Sequence, residues 1–252
     1  MIDQFNDTNK IKIALLIDGD NAQPTLIEKI LAETGKHGPI TIRRIYGDWT
    51  TPNMKGWKET LNNLAIQPIQ QFRYTVGKNS TDSAMIIDAM DILHDGSVEG
   101  FCIVSSDSDY TRLATRIRES GIFVMGIGKS TTPKAFVNAC KIFIYTENLT
   151  PRDSILENET ELKSSLTTDE KAKVSDPIPL LKEAFEMALG EDGWAHLGAV
   201  GNCLLQLDPG FDPRSYGYKQ LSLLVKAHSN LFELKNIKMK NGPDVFYIKI
   251  KD

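Results

Sequence analysis

Six short apolar runs, separated by stretches with helical spacing, constrain the fold of this 252-residue chain more than any other feature. The runs occupy residues 12–146 and read KIALLID, ITIRRIYGD, AIQPIQQF, FCIVSSD, IFVMGIG and KIFIYT. Continuous apolar strands that alternate with helices are typical of a parallel sheet covered by helices on both faces. The sequence therefore predicts a doubly wound, Rossmann-like α/β domain.

A second, smaller domain follows a change in composition. Residues 150–176 are rich in charged and small polar side chains and contain no aromatic residue, which predicts a flexible linker. Three segments with helical periodicity then precede two strands joined at Asn241-Gly242-Pro243, and Asn-Gly is typical of a hairpin turn. Three helices followed by a hairpin predict a winged helix-turn-helix over residues 177–252.

Composition narrows the class of protein further. Hydrophobic residues make up 41% of the chain and charged residues 25%, as in ordinary globular proteins. The three cysteines and four histidines show no CxxC or HxxxH spacing, so we expect reduced thiols and no zinc site. No apolar run reaches 18 residues and the N-terminus lacks the pattern of a secretory signal, which predicts a cytoplasmic protein without a membrane segment.

Carboxylates stand where an α/β sheet places its chemistry. Six aspartates occupy such positions. Asp18 and Asp20 end the first strand, Asp107 and Asp109 end the fourth, and the helix after the third strand carries Asp82 and Asp88. A strand order of 3-2-1-4-5 would bring Asp18 to face Asp107 across the crevice at the topological switch point, with Asp82 arriving from its helix. Converging carboxylates raise one another's pKa unless a cation relieves them. The pattern predicts a site for Mg²⁺, or Mn²⁺ in its place, that can activate water.

The charge balance agrees with a polyanionic substrate. Residues 1–149 hold 16 basic and 17 acidic side chains, and without the six aspartates the balance is 16 against 11. An acidic pocket thus lies in a mildly basic domain, which can guide a polyanion toward a metal ion. The basic side chains considered for this role are Arg43, Arg44, Arg73, Lys78, Arg112, Arg116, Lys129 and Lys134.

Several of these aspartates also have a purely structural explanation. Asp82 follows Ser80-Thr81 and can be a helix N-cap, and a cap explains Asp107 in part. Asp109 in a first helical turn is favoured by the helix dipole. Asp88 lies six positions after Asp82, about 120° around the helix, so the two do not share a face.

The motifs IDGDN, TDSAMIIDAM and VSSDSDYTRLATRIRESG together resemble the NYN domain of the LabA-like group, relatives of the PIN-domain ribonucleases, over residues 11–147. The resemblance implies a PIN-like fold and metal-dependent RNA cleavage. It also implies that Asp18, Asp82 and Asp107 hold Mg²⁺, with Asp109 and Asp88 at further acidic positions. Asn21 matches the polar position after the first strand.

The segment GFDPRSYGYKQLSLLVKAHSNLFEL resembles the OST-HTH/LOTUS domain, a winged helix associated with RNA or with protein partners. The expected RNA contacts are Arg214, Tyr216, Tyr218 and Lys219, because guanidinium and phenol groups stack on bases and lysine meets phosphate. The structural alternative is that Tyr218 packs in the core and Gly217 sets a turn. The expected partners are therefore RNA and, through the winged helix, a protein; a homodimer stays open.

Three rival functions remain as alternatives. Gly126 to Thr131 suggests a phosphate-binding loop, but Phe123 stands where that motif needs glycine, so only Lys129, Ser130 or Thr131 are expected to touch phosphate. A haloacid-dehalogenase-type phosphatase would use Asp18 as a nucleophile, although Asn21 departs from its motif. The third alternative is a non-catalytic RNA-binding adaptor.

Overall fold

The computed structural model describes residues 10–72, 80–150, 176–238 and 244–251. The chain divides into two compact units, Met1–Thr150 and Pro151–Asp252. The predicted linker, residues 150–176, falls almost entirely outside the described residues. No helix in the described ranges is long and apolar enough to cross a lipid bilayer.

A six-stranded parallel sheet forms the centre of the first unit. Its strands are β1 (Ile13–Asp18), β2 (Ile40–Gly47), β3 (Gln67–Gln70), β4 (Gly100–Val104), β5 (Phe123–Gly128) and β6 (Ile142–Tyr145). They lie in the order β3-β2-β1-β4-β5-β6, so the predicted order of the first five strands is confirmed and β6 extends one edge. The doubly wound α/β prediction is therefore confirmed.

Helices cover both faces of this sheet. They are α1 (Ile27–Gly35), α2 (Lys58–Leu64), α3 (Ser80–Asp95), α4 (Thr111–Glu119) and α5 (Lys134–Ala139). Short 3₁₀ helices at Pro24–Leu26, Pro52–Trp57, Ser108–Tyr110 and Thr146–Leu149 complete the connections. Each parallel pair needs such a crossover, which explains the regular alternation in the sequence.

The first strand shows why its residues form a continuous apolar run. Ala14 and Leu16 belong to the core layer under α3, α4 and α5, while Leu15 and Ile17 belong to the layer under α1 and α2. Side chains alternate between the faces of a strand, so both sets are buried. Asp18 is the next residue in the alternation and points to the α3 side.

The register of β1 brings the strand ends together. Ile17 lies opposite Ile45 of β2 and opposite Val104 of β4. The residues that follow β1 and β4 consequently leave the sheet at the same level of its carboxyl edge. This edge at a switch point is where α/β sheets bind ligands.

Among its described residues, the second unit contains three α-helices and a three-stranded antiparallel sheet. Its elements are α6 (Ile178–Ala188), β7 (Ala195–His196), α7 (Leu197–Leu207), α8 (Leu221–Ala227), β8 (Phe232–Ile237) and β9 (Val245–Ile250). The sheet order is β7-β9-β8, and Ile237 pairs with Val245 as the predicted hairpin requires. The predicted turn at Asn241-Gly242-Pro243 lies outside the described residues. The winged helix is confirmed, with the two-residue β7 as an addition.

Candidate metal centre

Three carboxylates meet at the carboxyl edge of the central sheet. One oxygen each from Asp82, Asp107 and Asp109 lies within 4.8 Å of the other two. Asp82 is the third residue of α3, whereas Asp107 and Asp109 belong to the segment between β4 and α4. Residues distant in sequence thus converge, as the strand order predicted. We call these three residues the acidic triad.

Local backbone geometry fixes Asp107. It caps the 3₁₀ helix Ser108–Tyr110, because its carboxylate accepts a hydrogen bond of 2.9 Å from the backbone N–H of Asp109. Its own backbone N–H donates to the Oγ of Ser105 over 3.1 Å. Helix capping therefore explains part of the role of Asp107, as the sequence suggested. The same cap brings the carboxylates of Asp107 and Asp109 toward one point.

A buried tyrosine fixes Asp82. The Tyr110 hydroxyl donates to the Asp82 carboxylate over 2.8 Å, and the Tyr110 side chain is fully buried. Burial raises the pKa of Tyr110 far above its usual value, and the nearby aspartates raise it further, so the phenol stays a donor. Since α3 begins at Ser80, Asp82 does not occupy the N-cap position, and this structural alternative is wrong.

Electrostatics explain what the acidic triad requires. Burial raises the pKa of Asp82, the Tyr110 hydrogen bond opposes this, and the charges of Asp107, Asp109 and Asp20 raise it again. A carboxylate surrounded by like charges is held in its ionised form only if a cation balances it. The triad offers hard oxygen ligands, which suit Mg²⁺ or Mn²⁺.

Asp18 lies beside the acidic triad rather than within it. Its side chain is buried and accepts hydrogen bonds from Asn21 Nδ2 at 2.6 Å, Ser105 Oγ at 2.8 Å and the Asp20 backbone N–H at 3.2 Å. Burial raises its pKa, the Asn21 and Ser105 hydrogen bonds lower it, and the charges of Asp82 and Asp20 raise it. Asp18 therefore reaches Asp107 through Ser105 instead of facing it directly.

The burial of Asp18 also argues against the phosphatase alternative. A nucleophilic carboxylate must present one oxygen to the incoming phosphorus atom. Asp18 is 1% exposed, and both of its oxygens accept hydrogen bonds from neighbouring residues. In this arrangement Asp18 supports the strand end and its neighbours, which disfavours attack of its carboxylate on a phosphoryl group.

Ser105 and Tyr110 were missed from the sequence, whereas Asp20 was one of the six carboxylates predicted at the strand ends and on the helix. Asp20 is exposed, accepts a hydrogen bond of 3.3 Å from Thr81 Oγ1, and its charge acts on both Asp18 and Asp82. Ser105 and Tyr110 orient the carboxylates. The available signal was the motif VSSDSDY itself, in which both residues stand next to the acidic pair.

Asp88 and Arg44 are corrections to the predicted site. The Asp88 carboxylate forms an ion pair with the Arg44 guanidinium and accepts a hydrogen bond from the Tyr46 hydroxyl. Asp88 lies six residues beyond Asp82, about 9 Å further along α3. Asp88, predicted to bind the metal, and Arg44, predicted to contact RNA, therefore neutralise each other's charge. We assign neither residue to the metal centre.

The polar residues expected to contact RNA fall into two groups. Asn21 donates a hydrogen bond to Asp18. Lys129, the first residue after β5, has an exposed side chain. Arg112, which follows the 3₁₀ helix Ser108–Tyr110 at the start of α4, is also exposed. Ser130 donates both its N–H and its hydroxyl to Glu147, at 2.9 and 2.7 Å. That carboxylate would repel phosphate, so the Ser130 prediction is not supported.

The remaining predicted contacts are Lys78 and the residues of the second unit. Lys78 lies outside the described residues. Arg214 forms an ion pair with the buried carboxylate of Asp212 at 2.7 Å, and the Tyr216 ring lies 5.6 Å from that of Phe211. Both side chains thus have structural partners, whereas Lys219 is exposed.

The structural alternative for this segment is also present in the second unit. Gly217 has a φ of 93°, a left-handed conformation that favours glycine at a turn. Tyr218 packs against the core of the second unit. Of the predicted RNA contacts in this segment, Lys219 is the exposed one, and it stays a candidate.

The solved structures similar to this chain include two proteins of unknown function. A Vibrio parahaemolyticus protein shows 20% identity and a TM-score of 0.46, and the match covers 54% of this chain and 93% of that one. An uncharacterized Nitrosomonas europaea protein shows 33% identity and a TM-score of 0.27, with 34% and 90% covered. A search of the curated proteins finds no match.

Family comparisons match both parts of the chain. The NYN domain matches residues 12–150, and the OST-HTH/LOTUS domain matches residues 169–242. The first match covers more than half of the chain and contains the acidic triad together with Asp18. The chain therefore belongs to the NYN domain family, within a nuclease superfamily, and carries an OST-HTH/LOTUS domain of the kind associated with RNA binding.

Proposed function

We propose that this chain is a metal-dependent ribonuclease that hydrolyses RNA phosphodiester bonds. The observation that carries the proposal is the convergence of Asp82, Asp107 and Asp109 at the switch point of an NYN-type sheet. These three carboxylates would hold one Mg²⁺ or Mn²⁺ ion. Such an ion, when bound, lowers the pKa of a water molecule and balances the negative charge that develops on the phosphate.

The chain's own residues prepare this site. Tyr110 and Ser105 hold the carboxylates in place by hydrogen bonds, so little reorganisation is needed when the ion arrives. Asp20 stands at the exposed rim, where it can accept a hydrogen bond from an attacking water. Lys129 is exposed at the end of β5 and supplies a positive charge for the RNA phosphate.

Asp18 acts as a positioning residue in this proposal. Its carboxylate gathers donors from Asn21, Ser105 and the Asp20 backbone, and thereby fixes the two segments that carry the site. Removing its charge in Asp18→Asn replaces an acceptor by a donor next to Asn21. We expect lower activity together with lower stability, because an unsatisfied buried polar group costs about 1 to 3 kcal/mol.

The test is RNA cleavage by the purified full-length chain. Single-stranded and structured RNA are incubated with Mg²⁺, Mn²⁺ or EDTA, using wild type, Asp82→Asn and Asp107→Asn. We expect cleavage that EDTA abolishes and that each substitution lowers by at least about 100-fold. Asp91→Asn is the matched control, because Asp91 is an exposed carboxylate on the same helix α3.

A negative result would favour the adaptor function. Retained RNA binding without metal-dependent cleavage, for every RNA tested, contradicts the ribonuclease proposal. The buried and hydrogen-bonded state of Asp18 is the observation that makes this second function worth testing, since it leaves one fewer carboxylate for the metal than the family resemblance implied.

A further inference from the structure

A cavity of about 590 Å³ opens beside β2 and β3 in the first unit. Its walls include the indole of Trp49, the thioether of Met54 and the apolar side chains of Leu61 and Pro68. This volume falls in the range of small-ligand sites, which extends from about 300 to 1,000 Å³. The residues of the acidic triad do not line it, so it is a separate feature.

The charge of this cavity is positive. Lys55 and Lys58 line it, both with exposed side chains, and no acidic residue is among the lining residues whose side chains the structure describes. An apolar aromatic wall flanked by two lysines complements a ligand that combines a flat ring with a negative charge.

The Trp49 ring is held in place before any ligand arrives. Its indole N–H donates to the Ile69 carbonyl over 3.0 Å, and its backbone N–H donates to Gln70 Oε1 over 3.0 Å. The side chain is half-buried, so part of the ring remains accessible. A fixed ring binds a flat partner at a lower entropic cost than a mobile one.

The cavity lies at the same edge of the sheet as the acidic triad. Met54, one of its walls, packs against Gly47 at the end of β2 and against Gly19, which follows Asp18. A Cβ on Gly19 would lie 2.7 Å from the Met54 Cε, and one on Gly47 would lie 2.4 Å from it. Both glycines thus allow the cavity wall to approach the strand end that leads to the site.

We propose that this cavity binds one unpaired nucleotide of the RNA, with its base against Trp49 and its phosphates near Lys55 and Lys58. The exposed amide of Asn62, also in the wall, offers a donor and an acceptor to a base edge. The inference rests on the proposed function, because it assumes that RNA reaches the carboxyl edge. It makes single-stranded RNA the substrate class.

The first test measures RNA binding rather than cleavage. EDTA-treated protein is titrated with a single-stranded RNA oligonucleotide at several salt concentrations, using wild type and Lys55→Gln/Lys58→Gln. We expect weaker binding by the variant and a salt slope smaller in magnitude by about 1.4, since each neutralised phosphate on a single strand contributes about 0.7. The control is Lys12→Gln/Lys141→Gln, which removes two exposed lysines beside the amino ends of β1 and β6.

The second test follows tryptophan fluorescence. The chain has three tryptophans, and a base stacked on Trp49 should quench part of the emission when RNA binds. Trp49→Phe should lose that quenching, and an oligonucleotide of abasic sites should produce none with wild type. Trp57, which is 1% exposed, keeps a fluorescent reporter in the same unit.

The outcomes separate this inference from the ribonuclease proposal. Metal-dependent cleavage by a lysine variant with unchanged RNA affinity and salt slope would overturn the cavity assignment alone, and would leave an acidic protein segment as the better occupant. Quenching and weaker variant binding without any cleavage would support the nucleotide site while contradicting the ribonuclease activity. Unchanged fluorescence on RNA binding also overturns the inference.

Discussion

The substitution Tyr110→Phe tests how the acidic triad is held together. It removes the hydroxyl that donates to Asp82 over 2.8 Å and leaves the buried aromatic ring in the core. The hydrogen bond lowers the pKa of Asp82, so without it that pKa rises further above its usual value. The ionised form of Asp82 is then less favoured, and the orientation of its carboxylate is less restricted.

The expected size of the effect follows from these contacts. A hydrogen bond to a charged group contributes about 1.5 to 3 kcal/mol, but Asp82 is only half-buried and water can replace part of it. We expect a loss of about 1 kcal/mol in the free energy of unfolding. The affinity for Mn²⁺ should fall by about 10-fold or more, as for other residues that orient metal ligands.

Calorimetric titration with Mn²⁺ and urea unfolding measure the two quantities on the same protein. Tyr247→Phe is the matched control, because Tyr247 lies on β9 of the second unit, and the substitution removes the same hydroxyl without changing the unit that contains the triad. An Mn²⁺ affinity of Tyr110→Phe within twofold of wild type would refute the reasoning that Tyr110 positions Asp82.

Three further predictions follow from the same structure. The pKa values of Asp18 and Asp82 are raised in the folded state, so their contribution to stability is fully present below about pH 3.9 and is lost as the pH rises through the raised values. In thermal unfolding, Mn²⁺ should therefore raise Tm more at pH 7 than at pH 5. Equal increases in Tm at the two pH values would contradict this. Gly128→Ala places a Cβ 2.5 Å from the Ser105 carbonyl oxygen, so we expect a loss of about 1 to 3 kcal/mol in urea unfolding and weaker Mn²⁺ binding. Asp212→Ala removes the carboxylate that pairs with Arg214 and should destabilise the second unit by about 2 kcal/mol. The thermal unfolding transition of the second unit measures this loss, and an unchanged transition would contradict a stabilising role of the ion pair.

The strand pattern predicted the architecture because burial on both faces leaves a distinct record in the sequence. β1 is apolar at every position from Ile13 to Ile17, and a parallel sheet between two helical layers buries all of them. The same logic placed Asp18 and Asp107 at one edge. The two-residue β7 leaves no such record, because a strand that short has no detectable alternation.

The finer contacts of the site could not be predicted in the same way. Asp88 fits an acidic motif, but its pairing with Arg44 depends on the register between β2 and α3, which residue spacing does not fix. Ser130 follows a strand at the correct edge, yet Glu147 from the segment after β6 occupies both of its donors. In both cases a partner from a distant part of the chain decides what the side chain can bind.

The central claim is that the acidic triad holds a divalent ion. The most direct measurement is anomalous X-ray diffraction from a crystal of the full-length protein soaked in Mn²⁺. We expect a peak at coordination distance, about 2.0 to 2.3 Å, from one oxygen each of Asp82, Asp107 and Asp109. A well-diffracting crystal with no peak there, or with its peak beside Asp88, would contradict it.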